Sequence, residues 1–305
     1  MPALGRGAYG ILLTTYTEQD TVDHDDLHAQ ADFVAGAAQG IVWPVLASEF
    51  FLLSLQEIAA GFPVVTKGAA GRVPFVAGVS ALTTGDAVAL TEAAAHAGAD
   101  AVIVMPPFIK KASGSRLLSH FEAIAEVGLL IVVQNTIWLA GAGTLTVDEL
   151  RLLADKIPRI RYLKEEAPVL PQTLSRVIGA LPGVFEHVFG GGGGRFLIDE
   201  LGRGGSGTML ACEWADLFGT IAVTYDRGDV AEARRLHAAA LAGVNLETAY
   251  GMAGAREVLR DRGVIRSTRS RYGADQELDA AALTEIHATV EQLRPLLRGR
   301  HSTHG

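Results

Sequence analysis

One lysine stands at a position where its chemistry is hard to replace. Only five of the chain's 26 basic residues are lysines, and Lys164 ends the short apolar run Ile160-Arg161-Tyr162-Leu163. An arginine serves as well as a lysine in most surface roles, but its guanidinium stays protonated and cannot form a Schiff base. Lys164 is therefore a candidate Schiff-base nucleophile. The alternative is a lysine whose stem packs at a strand end while its charge reaches water.

Two glutamates follow this lysine directly. Glu166 lies two positions beyond Lys164, and residues two apart share one face of a strand. If the strand continues, Glu166 is a candidate acid or base beside the lysine nitrogen. Glu165 would point the other way, and we interpret it as structural.

The segment Leu46-Ala47-Ser48-Glu49 follows another apolar run. We expect the backbone N–H groups of Ala47 and Ser48 and the Ser48 hydroxyl to bind a substrate carboxylate. Glu49 is either a substrate-binding residue and further acid–base candidate or a cap at the start of a helix, where a carboxylate is stabilised by the helix dipole.

Glycine-rich turns occur twice near the end of the apolar pattern. The first is Gly190 to Gly194, and the second introduces Ser206 and Gly207. Such turns expose backbone N–H groups that can hold carboxylate or phosphate oxygens, so we predict Ser206 and Gly207 as substrate-binding residues. The alternative is a steric requirement for tight turns.

The elements that must position these residues alternate between short apolar runs and segments of helical period. Apolar runs without polar alternation are typical of parallel strands covered on both sides. We predict eight strands: 10–14, 40–45, 73–78, 101–105, 129–134, 160–164, 185–189 and 207–210. The eighth helix is predicted over 213–225. Eight βα units predict an α/β fold, the (β/α)8 TIM barrel, with its active site at the carboxyl ends of the strands.

The remaining residues predict a C-terminal helical appendage. Three helices are expected over 230–242, 246–262 and 280–297. We therefore predict a catalytic barrel over residues 1–226 and a three-helix extension over 227–305. Asn245 and Glu247 of this extension either reach the pocket or brace helix packing.

Composition excludes several classes of function. A formal net charge of −8 and scattered arginines argue against a nucleic-acid partner. One cysteine excludes an internal disulfide and a thiolate metal cluster. No basic leader and no uninterrupted apolar span are found, so we expect a cytoplasmic protein without a membrane partner. We expect neither a metal nor another cofactor.

Taken together, these segments resemble the dihydrodipicolinate synthase / N-acetylneuraminate lyase family of Schiff-base lyases and aldolases. The resemblance covers nearly the whole chain and is carried by Ser48-Glu49, Val73 to Gly78, Pro106-Pro107, Lys164-Glu165 and Gly204 to Gly207. It implies that Lys164 condenses with the ketone of a 2-keto acid. It also implies a homotetramer or homodimer.

The departures from the family pattern bear on the reaction. The resemblance implies a Tyr-Asn pair at the end of the fifth strand, whose tyrosine relays protons, but this chain has Gln134-Asn135. A glutamine orients a group or a water by hydrogen bonds and cannot act as acid or base. The family's Thr-Thr pair is replaced by Leu46-Ala47, so the tyrosine–threonine relay is absent. We expect Gln134 to orient groups in catalysis and Asn135 to bind substrate.

The shared departures are similar to those of the branch that contains L-2-keto-3-deoxyarabonate dehydratase. The similarity lies in Ser48-Glu49, Gln134, the Lys164-x-Glu166-x-Pro168 spacing and the tail around Glu247. It implies a dehydratase of a 2-keto-3-deoxy sugar acid. The alternatives are an aldolase that releases pyruvate and an aldehyde, and a non-catalytic barrel that binds 2-keto acids. Trp138 is a candidate for the pocket wall.

Overall fold

A computed structural model gives the fold and describes residues 4–110, 112–136, 144–272 and 277–298. Eight parallel strands form a closed barrel in which each strand pairs with the next and the last pairs with the first. The strands are β1 (Gly7–Ile11), β2 (Gly40–Trp43), β3 (Phe75–Gly78), β4 (Ala101–Val104), β5 (Leu130–Thr136), β6 (Ile160–Glu166), β7 (His187–Gly190) and β8 (Gly207–Ala211). The predicted (β/α)8 barrel is confirmed.

Helices alternate with these strands and cover the outside of the barrel. They are α1 (His24–Ala35), α2 (Leu55–Ala69), α3 (Thr84–His96), α4 (Gly114–Glu126), α5 (Val147–Lys156), α6 (Leu170–Ala180), α7 (Leu197–Gly202) and α8 (Ala215–Asp226). The C-terminal part adds α9 (Val230–Asp261) and α10 (Ala280–Leu293). None of the described helices is long and apolar enough to cross a membrane.

The first strand lies three residues earlier than the apolar pattern predicts. Leu12 and Leu13 are fully buried, but they follow β1 and pack in the cluster shared with the outer helices. Their hydrophobicity therefore reflects burial under the helical layer, and a run of apolar residues cannot distinguish that from a strand.

The division of the C-terminal extension also differs from the prediction. The break expected after residue 242 is absent, because Gly243 lies within α9 and lets the helix approach Trp214: an added Cβ would lie 2.5 Å from the indole. The helix departs from helical geometry instead at Gly251, where φ is 56°. The division of the chain into two domains after residue 226 stays a prediction.

The barrel interior is filled from its amino-terminal end. Leu4 lies there, and its backbone N–H donates to the Tyr162 hydroxyl at 3.0 Å. Tyr9 donates its hydroxyl proton to the Gly5 carbonyl oxygen at 3.0 Å, and its ring packs edge-on against Phe189. Aromatic and aliphatic packing closes this end, so the polar interior residues lie toward the carboxyl ends of the strands.

Candidate active site

Lys164 lies inside the barrel on β6. The strand continues past it to Glu166, so Tyr162, Lys164 and Glu166 share the inward face. Tyr162 belongs to the interior cluster, and Lys164 itself is only 3% exposed. Its register partners are Gln134 on β5 and Phe189 on β7. A lysine enclosed in this way does not match a strand-end residue that reaches for water.

Glu166 connects the inward polar groups of two strands. Its Oε1 lies 3.0 Å from Lys164 Nζ, and its Oε2 accepts a hydrogen bond of 2.8 Å from the Gln134 side-chain amide. Its side chain is 17% exposed, against 4% for Lys164. The structure therefore brings together Lys164, Glu166 and Gln134, which the sequence predicts as catalytic, with the carboxylate at proton-transfer distance from the amine.

Asn135 and Glu165 face away from this cluster. They are register partners on the same two strands, and the Asn135 amide donates to both Glu165 carboxylate oxygens, at 2.9 and 3.2 Å. The Asn135 side-chain oxygen accepts the Leu145 N–H at 2.7 Å, and Glu165 accepts the Ala167 N–H at 2.8 Å. Burial raises the pKa of Glu165 to about 7, against the effect of these donors. The substrate-binding role of Asn135 stays a prediction.

The glycine run after β7 is packed against carboxylate side chains. A Cβ added to Gly190 would lie 2.0 Å from Glu200 Oε2, one added to Gly191 would lie 2.2 Å from Glu166 Oε1, and one added to Gly193 would lie 2.6 Å from Glu247 Oε2. Gly192, Gly193 and Gly194 also have positive φ. Close approach and backbone conformation thus both favour glycine here.

Two of the acids near this turn were not identified from the sequence. Glu200 on α7 and Glu213 beyond β8 are each 1% exposed, and within the part of the chain that the structure describes neither Glu200 oxygen nor Glu213 Oε2 has a hydrogen-bond partner. Burial raises the pKa of each to about 8. Glu213 could have been recognised as a candidate from the sequence, since it lies two residues past a barrel strand. Glu200 could not, because its place depends on how α7 packs.

Glu247 reaches the same region from the C-terminal extension. Burial raises its pKa, and the nearby charge of Glu166 raises it further, whereas Arg195 and Lys164 lower it. Of the two tail residues considered from the sequence, Asn245 is exposed. Trp138 lies outside the described residues.

Ser48 and Ala47 form a single turn of 3-10 helix, Leu46–Ser48, after β2. Ser48 is fully buried, and its hydroxyl donates to the Leu12 carbonyl oxygen at 2.6 Å and accepts the Val45 N–H at 3.2 Å. These bonds hold the turn against the end of β1. Ala47 is partly exposed. Carboxylate binding by this turn stays a prediction.

Glu49 is buried in an ion pair with the C-terminal extension. Its Oε2 lies 2.8 Å from Arg256 Nη1 and accepts the Ser270 hydroxyl at 3.1 Å. Its φ of 56° places it in the left-handed region, which is unusual for a non-glycine residue. The carboxylate thus joins the barrel to α9. A role in substrate binding stays a prediction.

Ser206 and Gly207 lie at the amino-terminal end of β8. The Ser206 hydroxyl contacts the His187 ring at 3.1 Å and the Val188 N–H at 3.3 Å. A Cβ on Gly207 would lie 1.8 Å from the Gly7 carbonyl oxygen, which is a steric reason for glycine. These contacts lie where β8 begins, and the substrate-binding role of Ser206 and Gly207 stays a prediction.

Acidic side chains are numerous near Lys164, but the described residues contain no group of three or more His, Cys, Asp and Glu side chains arranged to hold a metal ion. The polar groups that converge inside the barrel are instead an amine, a carboxylate and a primary amide. Such a set can form an imine and move protons around it.

Known proteins are similar in sequence to most of this chain. The model of the dihydrodipicolinate synthetase family matches residues 5–292. N-acetylneuraminate lyase of Rhizobium meliloti is 29% identical over 97% of both chains. The 4-hydroxy-tetrahydrodipicolinate synthase of Bacillus subtilis is 28% identical over 74% of this chain and 78% of that protein.

Solved structures of other proteins have the same fold as this chain. A prophage protein of the dihydrodipicolinic acid synthase family from E. coli K12, solved in complex with pyruvate, superposes with a TM-score of 0.87 at 23% identity, over 96% of this chain and 99% of that one. The 4-hydroxy-tetrahydrodipicolinate synthase of Methylacidiphilum fumariolicum SolV gives 0.85 at 22% identity, over 95% and 98%. With the family model covering nearly all of the barrel and its extension, the chain belongs to the dihydrodipicolinate synthetase family of Schiff-base lyases.

Proposed function

We propose that this protein is a dehydratase that removes water from a 2-keto-3-deoxy sugar acid through a Schiff base on Lys164. Lys164 Nζ attacks the C2 ketone, and loss of the C2 oxygen as water leaves an iminium. The positive nitrogen acidifies the C3 protons, and loss of one of them gives an enamine. The enamine then expels the C4 hydroxyl, and hydrolysis releases an unsaturated 2-keto acid.

The observation that carries this proposal is the position of Gln134. It is the register partner of Lys164 on β5, and its amide N–H donates to Glu166. Cleavage of the C3–C4 bond requires a base for the C4 hydroxyl proton, whereas elimination requires that hydroxyl to gain a proton. A glutamine in this position has no titratable proton and cannot serve as the base.

Glu166 is the acid–base group closest to the imine nitrogen in this proposal. Its carboxylate oxygen at 3.0 Å from Nζ can take the ammonium proton of Lys164 before attack, return it to the C2 oxygen that leaves as water, and then take the C3 proton. Gln134 fixes the other carboxylate oxygen, so the side chain is oriented before the substrate enters.

A 2-keto acid substrate is supported by a structural relative that was solved in complex with pyruvate. The finer assignment to a 2-keto-3-deoxy sugar acid, like the L-2-keto-3-deoxyarabonate dehydratase branch, rests on Gln134 and Glu166. A homodimer or homotetramer without a cofactor completes the proposal.

An aldolase is the second candidate, because N-acetylneuraminate lyase matches 97% of this chain. In that reaction Glu166 would have to take the C4 hydroxyl proton itself. A barrel that binds 2-keto acids without turnover is the third possibility.

A panel of 2-keto-3-deoxy pentonates and hexonates separates the three. Released pyruvate and the dehydrated product are both quantified by mass spectrometry. We expect the dehydrated acid as the main product from at least one substrate. Pyruvate with an aldehyde would support the aldolase, and binding without either product would support the non-catalytic barrel.

A further inference from the structure

The C-terminal helix α9 is fastened to the glycine turn beside Lys164. The His237 ring donates to the Gly194 carbonyl oxygen at 3.0 Å, and the Arg195 guanidinium donates to the Thr248 hydroxyl. Gly243 brings the same helix against Trp214 beyond β8. These contacts lie on both sides of Glu247, so its position relative to the turn is set by several independent interactions.

Glu247 and Glu166 lie against neighbouring positions of this turn. The space of an added Gly191 Cβ is occupied by the Glu166 carboxylate, and that of an added Gly193 Cβ by the Glu247 carboxylate. The charges of Lys164 and Glu166 both act on Glu247. The extension therefore supplies a second carboxyl group at the imine site, next to the one from β6.

The two carboxyl groups have different surroundings. Glu166 accepts from two donors, the Lys164 side chain and the Gln134 amide. Glu247 is partly buried, and burial raises its pKa, as does the charge of Glu166, whereas Arg195 and Lys164 lower it. Glu247 is therefore the one of the two whose surroundings hold its pKa above the usual range.

Elimination of water needs proton transfers in opposite directions. The C3 proton must be removed, and the departing C4 hydroxyl must gain a proton. Two carboxyl groups beside the same turn can provide both, one as the base and the other as the acid, a division of roles known from other paired carboxylates.

We propose that Glu247 is the proton donor to the leaving hydroxyl, while Glu166 is the base; this inference rests on the proposed dehydratase function. The C3–H bond breaks, its electron pair forms the enamine, and the proton goes to Glu166. The enamine electrons then form the C3–C4 double bond as the C4–O bond breaks, and the hydroxyl leaves as water with the proton of Glu247. Transfer of the proton from Glu166 to Glu247 after release resets both groups.

Two reactions of one variant test this division. Exchange of pyruvate methyl protons in D2O, followed by NMR, requires Lys164 and the base but no leaving group. Dehydration of a 2-keto-3-deoxypentonate requires Lys164, the base and the proton donor to the leaving hydroxyl. We expect Glu247→Gln to retain exchange within about threefold of wild type and to lose dehydration by about 10²-fold or more. Glu166→Gln should lose both.

Glu232→Gln is the matched control, since Glu232 lies on the same helix with a side chain 38% exposed, and it should behave as wild type in both assays. Glu247→Asp should recover part of the dehydration rate. Normal dehydration by Glu247→Gln in an active enzyme, or equal loss of exchange and dehydration, would overturn the role of Glu247. Failure of the wild type to dehydrate any of the acids would instead overturn the proposed function, and with it this inference.

Discussion

Two rows of polar side chains lie back to back on β5 and β6. The inward row is Gln134, Lys164 and Glu166, and the outward row is Asn135 and Glu165. Residues of the two rows are adjacent in sequence, and both rows contain a glutamate and an amide. The amide and the glutamate of one row point to the opposite face of the sheet from those of the other, because successive side chains of a strand alternate between the two faces.

The difference lies in what each row contacts. The outward row binds backbone groups of the chain, since Asn135 accepts the Leu145 N–H and Glu165 accepts the Ala167 N–H. The side chains of the inward row contact one another, and that of Glu166 is partly exposed. The comparison teaches that the outward amide and acid stabilise the fold, whereas the inward ones are available to a substrate.

Loss of the inward amine should have the largest effect. Lys164→Arg keeps the charge, but its guanidinium cannot form the imine, so turnover and borohydride trapping of pyruvate should both vanish. Trapping is measured by the mass of the intact protein and folding by circular dichroism. Lys156→Arg, an exposed lysine in the last turn of α5, is the control and should be trapped as wild type. A trapped adduct in Lys164→Arg would place the nucleophile elsewhere.

Loss of the inward carboxylate should come next. Glu166→Gln preserves shape but removes the proton acceptor beside Nζ, and kcat should fall by about 10²–10⁴-fold with a much smaller change in KM. Steady-state kinetics on the best substrate measure both. Glu165→Gln is the matched change in the outward row, and its kcat should fall far less. Equal losses in the two variants would remove the distinction between the rows.

Disruption of the outward row should appear in stability. Asn135→Ala leaves the buried Leu145 N–H and the Glu165 carboxylate without the amide that bonds them. The free energy of unfolding should fall by about 1–3 kcal/mol, with kcat changed by only about threefold. Urea unfolding and kinetics are compared on the same preparation. A large loss of kcat at unchanged stability would instead support the predicted contact of Asn135 with substrate.

Glu200, the buried acid on α7, should affect activity least, and its effect should appear in the pH dependence of stability. Burial raises the pKa of Glu200 from 4.5 to about 8. Between these values the folded protein holds a proton that the unfolded chain has released, so stability falls as pH rises. Glu200→Gln should reduce this slope and raise stability at pH 8 relative to pH 5, by up to about 3 kcal/mol. An unchanged slope in urea unfolding at the two pH values would contradict the assignment.

The sequence predicts the barrel well because its signal is local. Continuous apolar runs separated by helical segments indicate parallel strands, and seven of the eight runs overlap their strands closely. The exception is β1. Leu12 and Leu13 are apolar because they pack under the outer helices, and the apolar pattern alone does not distinguish such residues from a strand. The C-terminal extension shows the same limit: the helix predicted to end at residue 242 continues, and Gly243 within it contacts Trp214.

The site is predicted only where it lies within one strand pair. Lys164 and Glu166 follow from the period of a strand, and Gln134 from its departure from a family pattern. Glu200 and Glu247 meet the glycine turn through the packing of α7 and α9, and no spacing in the sequence reports such a contact. The glycine-rich segment before Ser206 gives no indication of which end of the barrel it occupies, so the substrate-binding role of Ser206 stays a prediction.

The central claim is that Lys164 holds the substrate as an imine while the inward row eliminates water. Borohydride added during turnover of a 2-keto-3-deoxypentonate reduces the imine to a stable amine. Mass spectrometry of the peptide containing Lys164 then gives the mass of the bound intermediate. We predict a five-carbon adduct that has lost the C4 oxygen. A three-carbon adduct, as from pyruvate, would contradict elimination, and an unmodified Lys164 peptide in an active enzyme would contradict the Schiff base itself.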